Sequence, residues 1–422
     1  MNPFFHVLLA MAAMIAASRI LGLVCKPIGQ PQVIAEVAAG LLLGPSVLGQ
    51  LAPAASSFLL PVEVAPYLKV VAELGIVVYM FLIGLELNME LLRAQGRPVL
   101  VIALAGMVVP FLLGSGAGTV LFPRLAGERA AFGSFVLFLG LALSVTAFPV
   151  LARILSERGL TKTSLGTTAI GCAAINDAVA WCLLALVAGV AQSGVDHALM
   201  TMGCTVAYML AMLLVARPLL NRFVGTFDDG KELSQSVVAV VFLGLLASAL
   251  ITEWIGIHAL FGAFLYGALI SHESRIARSL IHKLEDLVGL LFLPAFFAFT
   301  GMRTEIQLLG GLEYVLIGVA IVGLAIIGKL GGSAAAAWLT GMPGRQALTI
   351  GALMNTRGLM ELIVLNVGLD LKIISPTLFA MLVMMALVTT MATGPLLHWL
   401  KPPTEADDQA ARRLETTPKK SS

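Results

Sequence analysis

Two polar residues sit side by side where a sequence this apolar has least reason to place them. Asn176 and Asp177 occupy the middle of TTAIGCAAINDAVAWCLLAL (167–186). An ionisable group at the centre of a bilayer costs about 2.5–3.5 kcal/mol even on lenient insertion scales, and such residues mark ion paths. Desolvation penalises the charged carboxylate, so a proton and a small cation compete for it. Asn176 adds an amide oxygen and N–H donors without a second charge. The chemistry expected is alternate binding of H⁺ and a monovalent metal ion at Asp177, the metal being transported substrate. A structural aspartate bonded to a neighbouring helix is the alternative.

Other residues could complete or brace such a site. Ser144-Val145-Thr146-Ala147-Phe148-Pro149 interrupts another apolar segment; Pro149 lacks an N–H and clashes with the preceding turn, which frees carbonyls. In a membrane these survive only against protein or a wet cavity, where they make ligands for a small cation. Asn355-Thr356-Arg357-Gly358 is a second interruption, at which Gly358 permits unwinding. Lys329, in AIIGKLGG (325–332), lies too deep to snorkel on at least one side and needs a carboxylate or freed carbonyls. Asp177 or a helix terminus is its natural partner, and a structural role is favoured over titration. Arg357 and Glu361, four apart, share a helical face and are expected to pair and brace the second interruption. Glu73, in AELGIVVYMF (72–81), either lines the ion path or bonds to a wall. Glu86 and Arg303, at segment ends, read as interface anchors, and His258 and Glu36 are weaker candidates.

Positioning these residues takes a membrane scaffold, and composition supplies one. Of 422 residues, 59% are hydrophobic and 12% charged, where soluble domains carry about 25% charged; the mean hydropathy is +0.97. Segments able to cross a core of about 30 Å run near 4–24, 32–50, 66–85, 98–121, 131–155, 166–192, 198–224, 232–251, 256–272, 283–300, 311–338, 345–369 and 374–400. That predicts an all-α protein of thirteen transmembrane helices; barrel strands would alternate over about ten residues instead. With Arg19, Lys329 and Arg357 set aside as intramembrane, eighteen Lys and Arg fall on the side of the C-terminus and five on the other. The positive-inside rule then puts the C-terminus in the cytoplasm and the N-terminus outside. The N-terminal segment lacks a basic start and reads as the first span, not a signal peptide; 401–422 reads as a short cytoplasmic tail. Four cysteines without C-x-x-C spacing read as small buried hydrophobes. A net charge of +2 with no basic, aromatic-interleaved patch gives no reason to expect nucleic acid.

The chain also resembles itself. FLIGLELNMELL (81–92) aligns with AFTGMRTEIQLL (298–309), matching Gly84 to Gly301. AEVAAGLLLG (35–44) aligns with HALFGAFLYG (258–267), and ALSVTAFPVLARIL (142–155) with ALMNTRGLMELIVL (352–365), with Thr146 opposite Thr356. Offsets of 217, 223 and 210 residues fit one duplication. Equivalent helices are seven spans apart, and an odd separation inverts them in the bilayer. The expected organisation is an exchanger domain over 1–400: repeat 1 about 4–192, a linking helix 198–224 and repeat 2 about 232–400. Inverted repeats of this kind belong to secondary transporters that bind substrate where broken helices cross.

FLIGLELN (81–88), SVTAFPVLARIL (144–155), AAINDAVAW (173–181) and GALMNTRGLMELIVLNVG (351–368) together resemble the monovalent cation:proton antiporter-2 family, in particular plant cation/proton exchanger and bacterial Kef-type membrane domains. The likeness runs over about residues 5 to 400. It implies the sodium/proton antiporter fold, in which a core of crossed helices moves like an elevator against a dimerisation domain, and hence a homodimer. It implies that Asp177 carries the proton or cation, that Thr146 lies at the break beside the ion, and that Lys329 stabilises the core. Two departures matter. Electrogenic relatives have consecutive aspartates where this chain has Asn176-Asp177, so one titrating carboxylate predicts one-for-one, electroneutral exchange. Kef-type proteins carry a nucleotide-binding domain, whereas about twenty polar residues follow the last span here, without a G-x-G-x-x-G after a strand.

The function expected is Na⁺ or K⁺ exchange for H⁺, serving pH homeostasis, in a bacterial inner membrane; the alternative is a Kef-like potassium efflux channel or transporter. No T-V-G-Y-G filter, H-E-x-x-H or G-x-S-x-G occurs, so neither a selective pore of that type nor an enzyme is expected, and no cofactor is implied. Cavity size decides between sodium and potassium.

Overall fold

The computed structural model describes residues 3–86, 96–161, 163–192, 195–220, 222 and 235–402. Leu87 and Asn88 of the first family string, Arg93, Lys162 and Lys231 of the charge count, parts of the linking helix and residues 403–422 of the tail lie outside the described residues.

The apolar segments fold as helices. In chain order they are α1 (Pro3–Cys25), α2 (Gln32–Leu43), α3 (Ala65–Glu86), α4 (Arg97–Leu125), α5 (Phe132–Ser144), α6 (Phe148–Glu157), α7 (Ser164–Gln192), α8 (Val195–Ala211), α9 (Gln235–Ile255), α10 (Ala259–Leu269), α11 (Arg275–Arg303), α12 (Leu312–Leu339), α13 (Gly344–Met354), α14 (Leu359–Asp370) and α15 (Pro376–Leu400). Among the described residues eleven helical runs are long and apolar enough to cross a bilayer, and α13 with α14, bent by 45°, makes a twelfth. The segment expected to span over 256–272 is helical only in the eleven residues of α10, about 16 Å at 1.5 Å per residue. Gly256, at φ +91°, turns the chain before it, and the polar Ser271–Ser274 turn closes it. Full-length helices therefore do not account for all thirteen expected spans.

Two spans are interrupted at mid-length. Past Ser144 the chain is extended through Val145 and Ala147 before α6 begins. Pro149 occupies the first turn of α6, where its missing N–H has no intrahelical partner to lose. The proline thus starts a new helix where the sequence reading had it freeing carbonyls within one. The second interruption, Asn355–Gly358, separates α13 from α14.

α4 packs along α5 and against α12, and α7 touches α5, α6, α13 and α14, so the helices around both interruptions form one group. On the other side α3 packs with α10 and α11, and α2 with α1 and α11. Glycine permits close approaches between these helices: a Cβ on Gly84 would lie 2.3 Å from the Phe264 carbonyl oxygen, and one on Gly44 2.4 Å from that of Gly301. Gly267 in turn faces Gly84. Under the sequence correspondence of Gly44 with Gly267 and Gly84 with Gly301, the two contacts exchange places. Outward faces carry exposed Trp254, Val120 and Leu339, as lipid-facing surfaces do.

Ion pairs keep to the sides assigned from Lys and Arg. Lys69 and Arg303 meet Asp370, Arg124 meets Glu313 and Lys372 meets Glu128, all on the side with five basic residues; Arg153 meets Glu157 on the other, basic side.

Candidate ion-binding site

A helix leaves its last four carbonyls without intrahelical donors, and burying them bare is costly. In α5 these are Leu141, Ala142, Leu143 and Ser144, and each finds a donor. Ser144 Oγ donates to Leu141 O at 2.8 Å. Arg357 donates from Nη1 to Ala142 O at 2.8 Å and from Nη2 to Leu143 O at 2.5 Å. Lys329 Nζ donates to Ser144 O. Three of these carbonyls, at Ala142, Leu143 and Ser144, are thus taken by two fixed cations, which also complement the negative end of the helix dipole. Of the partners foreseen for Lys329, the helix terminus is the one it bonds. Its side chain, 0% exposed, emerges from a π-helical turn, Ile327–Gly331, within α12. Arg357 also pairs with Glu361, Nη1 to Oε2 at 2.6 Å, both fully buried.

The two interruptions are stitched together. Ala147 N–H donates to Thr356 O at 3.1 Å, and Thr146 Oγ donates to Met354 O at 3.3 Å. Thr390 of α15 holds the far side, accepting from Arg357 N at 2.9 Å and donating to Arg357 O at 2.8 Å. Gly358 contributes space more than backbone freedom: a Cβ there would stand 2.6 Å from Val150 Cγ2 on α6. Gly358→Ala should therefore lower stability by about 1–3 kcal/mol, the usual cost of overpacking, and Val150→Ala in the same chain should restore most of it. Thermal melts of the single and double variants check this.

Asp177 lies at the middle of α7, 3% exposed, and neither carboxylate oxygen has a hydrogen-bond partner. The backbone N–H of Phe148, at the positive end of α6, and the Lys329 ammonium are the favourable charges within its reach. Asn176 is 1% exposed. One orientation of its amide donates to Thr146 Oγ at 3.4 Å. Turned by half a rotation, it donates to Ala103 O at 2.8 Å and accepts from Lys329 Nζ at 3.3 Å. The second orientation satisfies both ends, and orientation of an amide is assigned on that ground. Asn355 Oδ1, at the second interruption, is also buried without a donor. It was named in sequence only as part of a motif, because nothing local marks which oxygen of N-T-R-G stays unpartnered.

A cleft of about 230 Å³ approaches from the basic side. Tyr79, Glu86, Arg153 and Glu285 line it together with Ala147, Pro149 and Val150 at the first interruption. Tyr79 is within electrostatic reach of Asp177 as well as of Glu86, Glu36 and Glu285. Glu86, read as an interface anchor, therefore faces this path. Glu73 is not brought to Asp177. It sits 3.5 Å from Lys69 and lines a separate cavity of about 30 Å³ with His258, Asn366 and Asp370 on the opposite side. There Arg303 Nη2 meets Asp370 Oδ1 at 2.6 Å, Lys69 meets Asp370 Oδ2 at 3.4 Å, and Asn366 bridges Arg303 to Thr300. Asp370 escaped the sequence reading because it stands at a span end, where charge is unremarkable. Among the described residues no group of three or more His, Cys, Asp or Glu could hold a resident metal.

A family model described as "Sodium/hydrogen exchanger, transmembrane" matches residues 11–401. The chain belongs to the sodium/hydrogen exchanger family. It is 38% identical over 403 residues to the Na(+)/H(+) antiporter NhaS4 of Synechocystis sp., covering 95% of this chain and 98% of that one. It is 37% identical to Cation/H(+) antiporter 20 of Arabidopsis thaliana (99% of this chain, 51% of the relative) and 34% identical to K(+)/H(+) antiporter 1 of Saccharomyces cerevisiae (92% and 45%). This exchanger chain thus spans nearly all of the cyanobacterial relative and about half of the plant and yeast ones. Its fold matches the sodium proton antiporter MjNhaP1 of Methanocaldococcus jannaschii with a TM-score of 0.68 at 13% identity, over 95% of this chain and 98% of that one.

Proposed function

We propose that the protein exchanges Na⁺ or K⁺ for H⁺ across a membrane, with Asp177 holding the proton and the cation alternately. One observation carries this: neither oxygen of this buried carboxylate has a hydrogen-bond partner, while the Phe148 N–H and the Lys329 ammonium stand near enough to favour its charge. Lys329 and Arg357 are both engaged in capping α5, so neither neutralises Asp177 directly. A proton or a small cation does. Thr146 and Asn355, at the two interruptions, and Asn176, beside Asp177 in sequence, are the oxygen-bearing side chains assigned to the ion with it, and hydroxyl, amide and carboxylate oxygens together suit a monovalent ion. A single titrating carboxylate makes the exchange electroneutral, and Lys329 serves the architecture. Relatives named as Na(+)/H(+) and K(+)/H(+) antiporters support the same reading.

Access alternates by movement of the helices around the interruptions, α4–α7 and α12–α15, against α1–α3 and α9–α11, in the manner of an elevator. The two sets correspond to halves of two inverted repeats, and a second copy of the chain completes a dimer through the static set. The basic side faces the cytoplasm of a bacterial cell, so the cleft beside Glu86 and Glu285 is the cytoplasmic entrance. The outer side is closed by Asp370 of the moving α14, held between Lys69 of α3 and Arg303 of α11.

The direct test is proton flux in proteoliposomes on adding Na⁺, K⁺ or Li⁺ with the potential clamped. Cation-dependent flux without a steady current supports antiport. A stable current under a pH gradient, scaling with protein, overturns electroneutral exchange, and flux that merely follows voltage favours the channel. A second expectation concerns closure. Asp370→Asn removes two part-exposed ion pairs, each worth up to about 1 kcal/mol, and should favour the outward-open state about fivefold. A cysteine replacing Ile363, buried on the outer cavity wall, reports it. In a background without native cysteines, labelling by an impermeant maleimide from outside should quicken by that factor.

A further inference from the structure

Arg19, set within the first span, is a cation that the ion site leaves unexplained. It heads a stripe of Arg19, Gly22 and Leu23 on α1 and Lys26 in the turn just past its end, whose spacing of three, four and seven residues puts all four on one face. That face walls a cavity of about 700 Å³ whose far wall is Arg153 and Glu157 of α6 with Arg158 just beyond its end. Arg153 is bound to Glu157 at 2.9 Å, and Arg158 donates to Gly394 O at 3.1 Å. The side chains of Arg19 and Lys26 make no hydrogen bond or ion pair among the described residues. Glu36 lies within electrostatic reach of Arg19 and Arg153. Four cations against the carboxylates of Glu157 and Glu36 leave two positive charges unbalanced. Gln30 also lines the cavity, and its Oε1 is buried without a partner.

Beside this basic cavity the surface of α1 is apolar. Ile20 is 63% exposed, Leu23 74% and Val24 61%. Seven residues of helix separate Arg19 from Lys26 by about 10 Å along the axis, so the charges reach from head-group level down toward the start of the acyl region. An anion alone would use the cavity and ignore the strip; acyl chains alone would use the strip and ignore the charges. We propose that this cavity binds the phosphate head group of an anionic phospholipid, with the acyl chains lying along Ile20, Leu23 and Val24. Guanidinium forks match phosphate oxygens, basic pockets between membrane helices take such head groups, and the volume falls within the range of small-ligand sites, about 300–1,000 Å³. Arg153 lines both this cavity and the cleft leading to the first interruption. A lipid held there touches the helix whose N-terminus faces Asp177, which makes exchange responsive to membrane composition.

The test is binding, so it stands or falls apart from transport. Delipidated protein in neutral detergent is titrated with phosphatidylglycerol or phosphatidylcholine of the same chains, read by native mass spectrometry and by thermal melts. We expect phosphatidylglycerol to be retained preferentially. Arg19→Gln with Lys26→Gln should weaken it about thirtyfold, at about fivefold per charge near the surface. Lys283→Gln with Lys401→Gln, which removes two charges elsewhere on the same side, should leave it unchanged. Lys26→Gln alone, at the exposed end of α1, should weaken it about fivefold if the double variant does not fold. Equal retention of the two lipids, or equal loss in both double variants, overturns the proposal. So does a melting shift from glycerol phosphate or inorganic phosphate that matches phosphatidylglycerol, since that assigns the cavity to a soluble anion.

Discussion

Asp177→Asn should bring cation-driven proton flux down to that of protein-free liposomes without lowering the melting temperature. The two halves of this expectation have one physical source. Both carboxylate oxygens are buried without donors, so the charged form is held at the expense of the fold, and a neutral amide of the same shape relieves that cost. On the proposed mechanism the same substitution removes the charge that an incoming cation neutralises. Flux assays and melts on one preparation separate the readings. Lost flux with an unchanged or raised melting temperature assigns the carrier. Lost flux with a collapsed melting temperature makes Asp177 a structural residue. Retained flux moves the role to a carboxylate on the cleft, such as Glu86 or Glu285.

Arg357→Met should be the most destabilising single change at the site, by about 3–5 kcal/mol, the range found when a buried ion pair loses one member. Glu361 Oε1 already lacks a donor, so removing the guanidinium leaves its carboxylate bare at 0% exposure. The carbonyls of Ala142 and Leu143 lose their donors as well, at about 1–3 kcal/mol for each group left unsatisfied. Arg357→Met with Glu361→Met should recover only part of the loss: the orphan charge is gone, but the two carbonyls remain uncapped. Glu361→Gln should cost less than either, because an amide oxygen still accepts from the guanidinium. Yield and melting temperature in detergent give the comparison, and a single variant as stable as the parent removes the bracing role.

The site was partly legible in sequence because cost is legible. A carboxylate, a lysine and an arginine inside apolar runs must each be compensated, and that logic singled out Asp177, Lys329 and Arg357 without knowledge of their neighbours. It ranked Asp177 above Glu73 but could not say whether Glu73 faces the ion path or a wall. Both lie within spans, and a helix apolar nearly all round carries no stripe to say which way a residue points. Packing places Glu73 against Lys69 on the far side of the protein from the cleft. Nor could hydropathy separate α10 from a full span, since flanking apolar residues lengthen the pattern past the turn at Gly256.

From its residues alone this chain had to be a helical membrane protein with a costly carboxylate at mid-span and two interrupted helices. Hydropathy, helix period and the price of burying charge are properties of the local chain. Tertiary structure alone decided that the carbonyls freed at Ser144 belong to Lys329 and Arg357, that the two interruptions bond through Ala147 and Thr356, and that Asp177 is left without a partner. Those facts join residues some 185 to 215 positions apart. A hydrogen bond depends on distances of a few tenths of an ångström, which packing sets and sequence spacing does not.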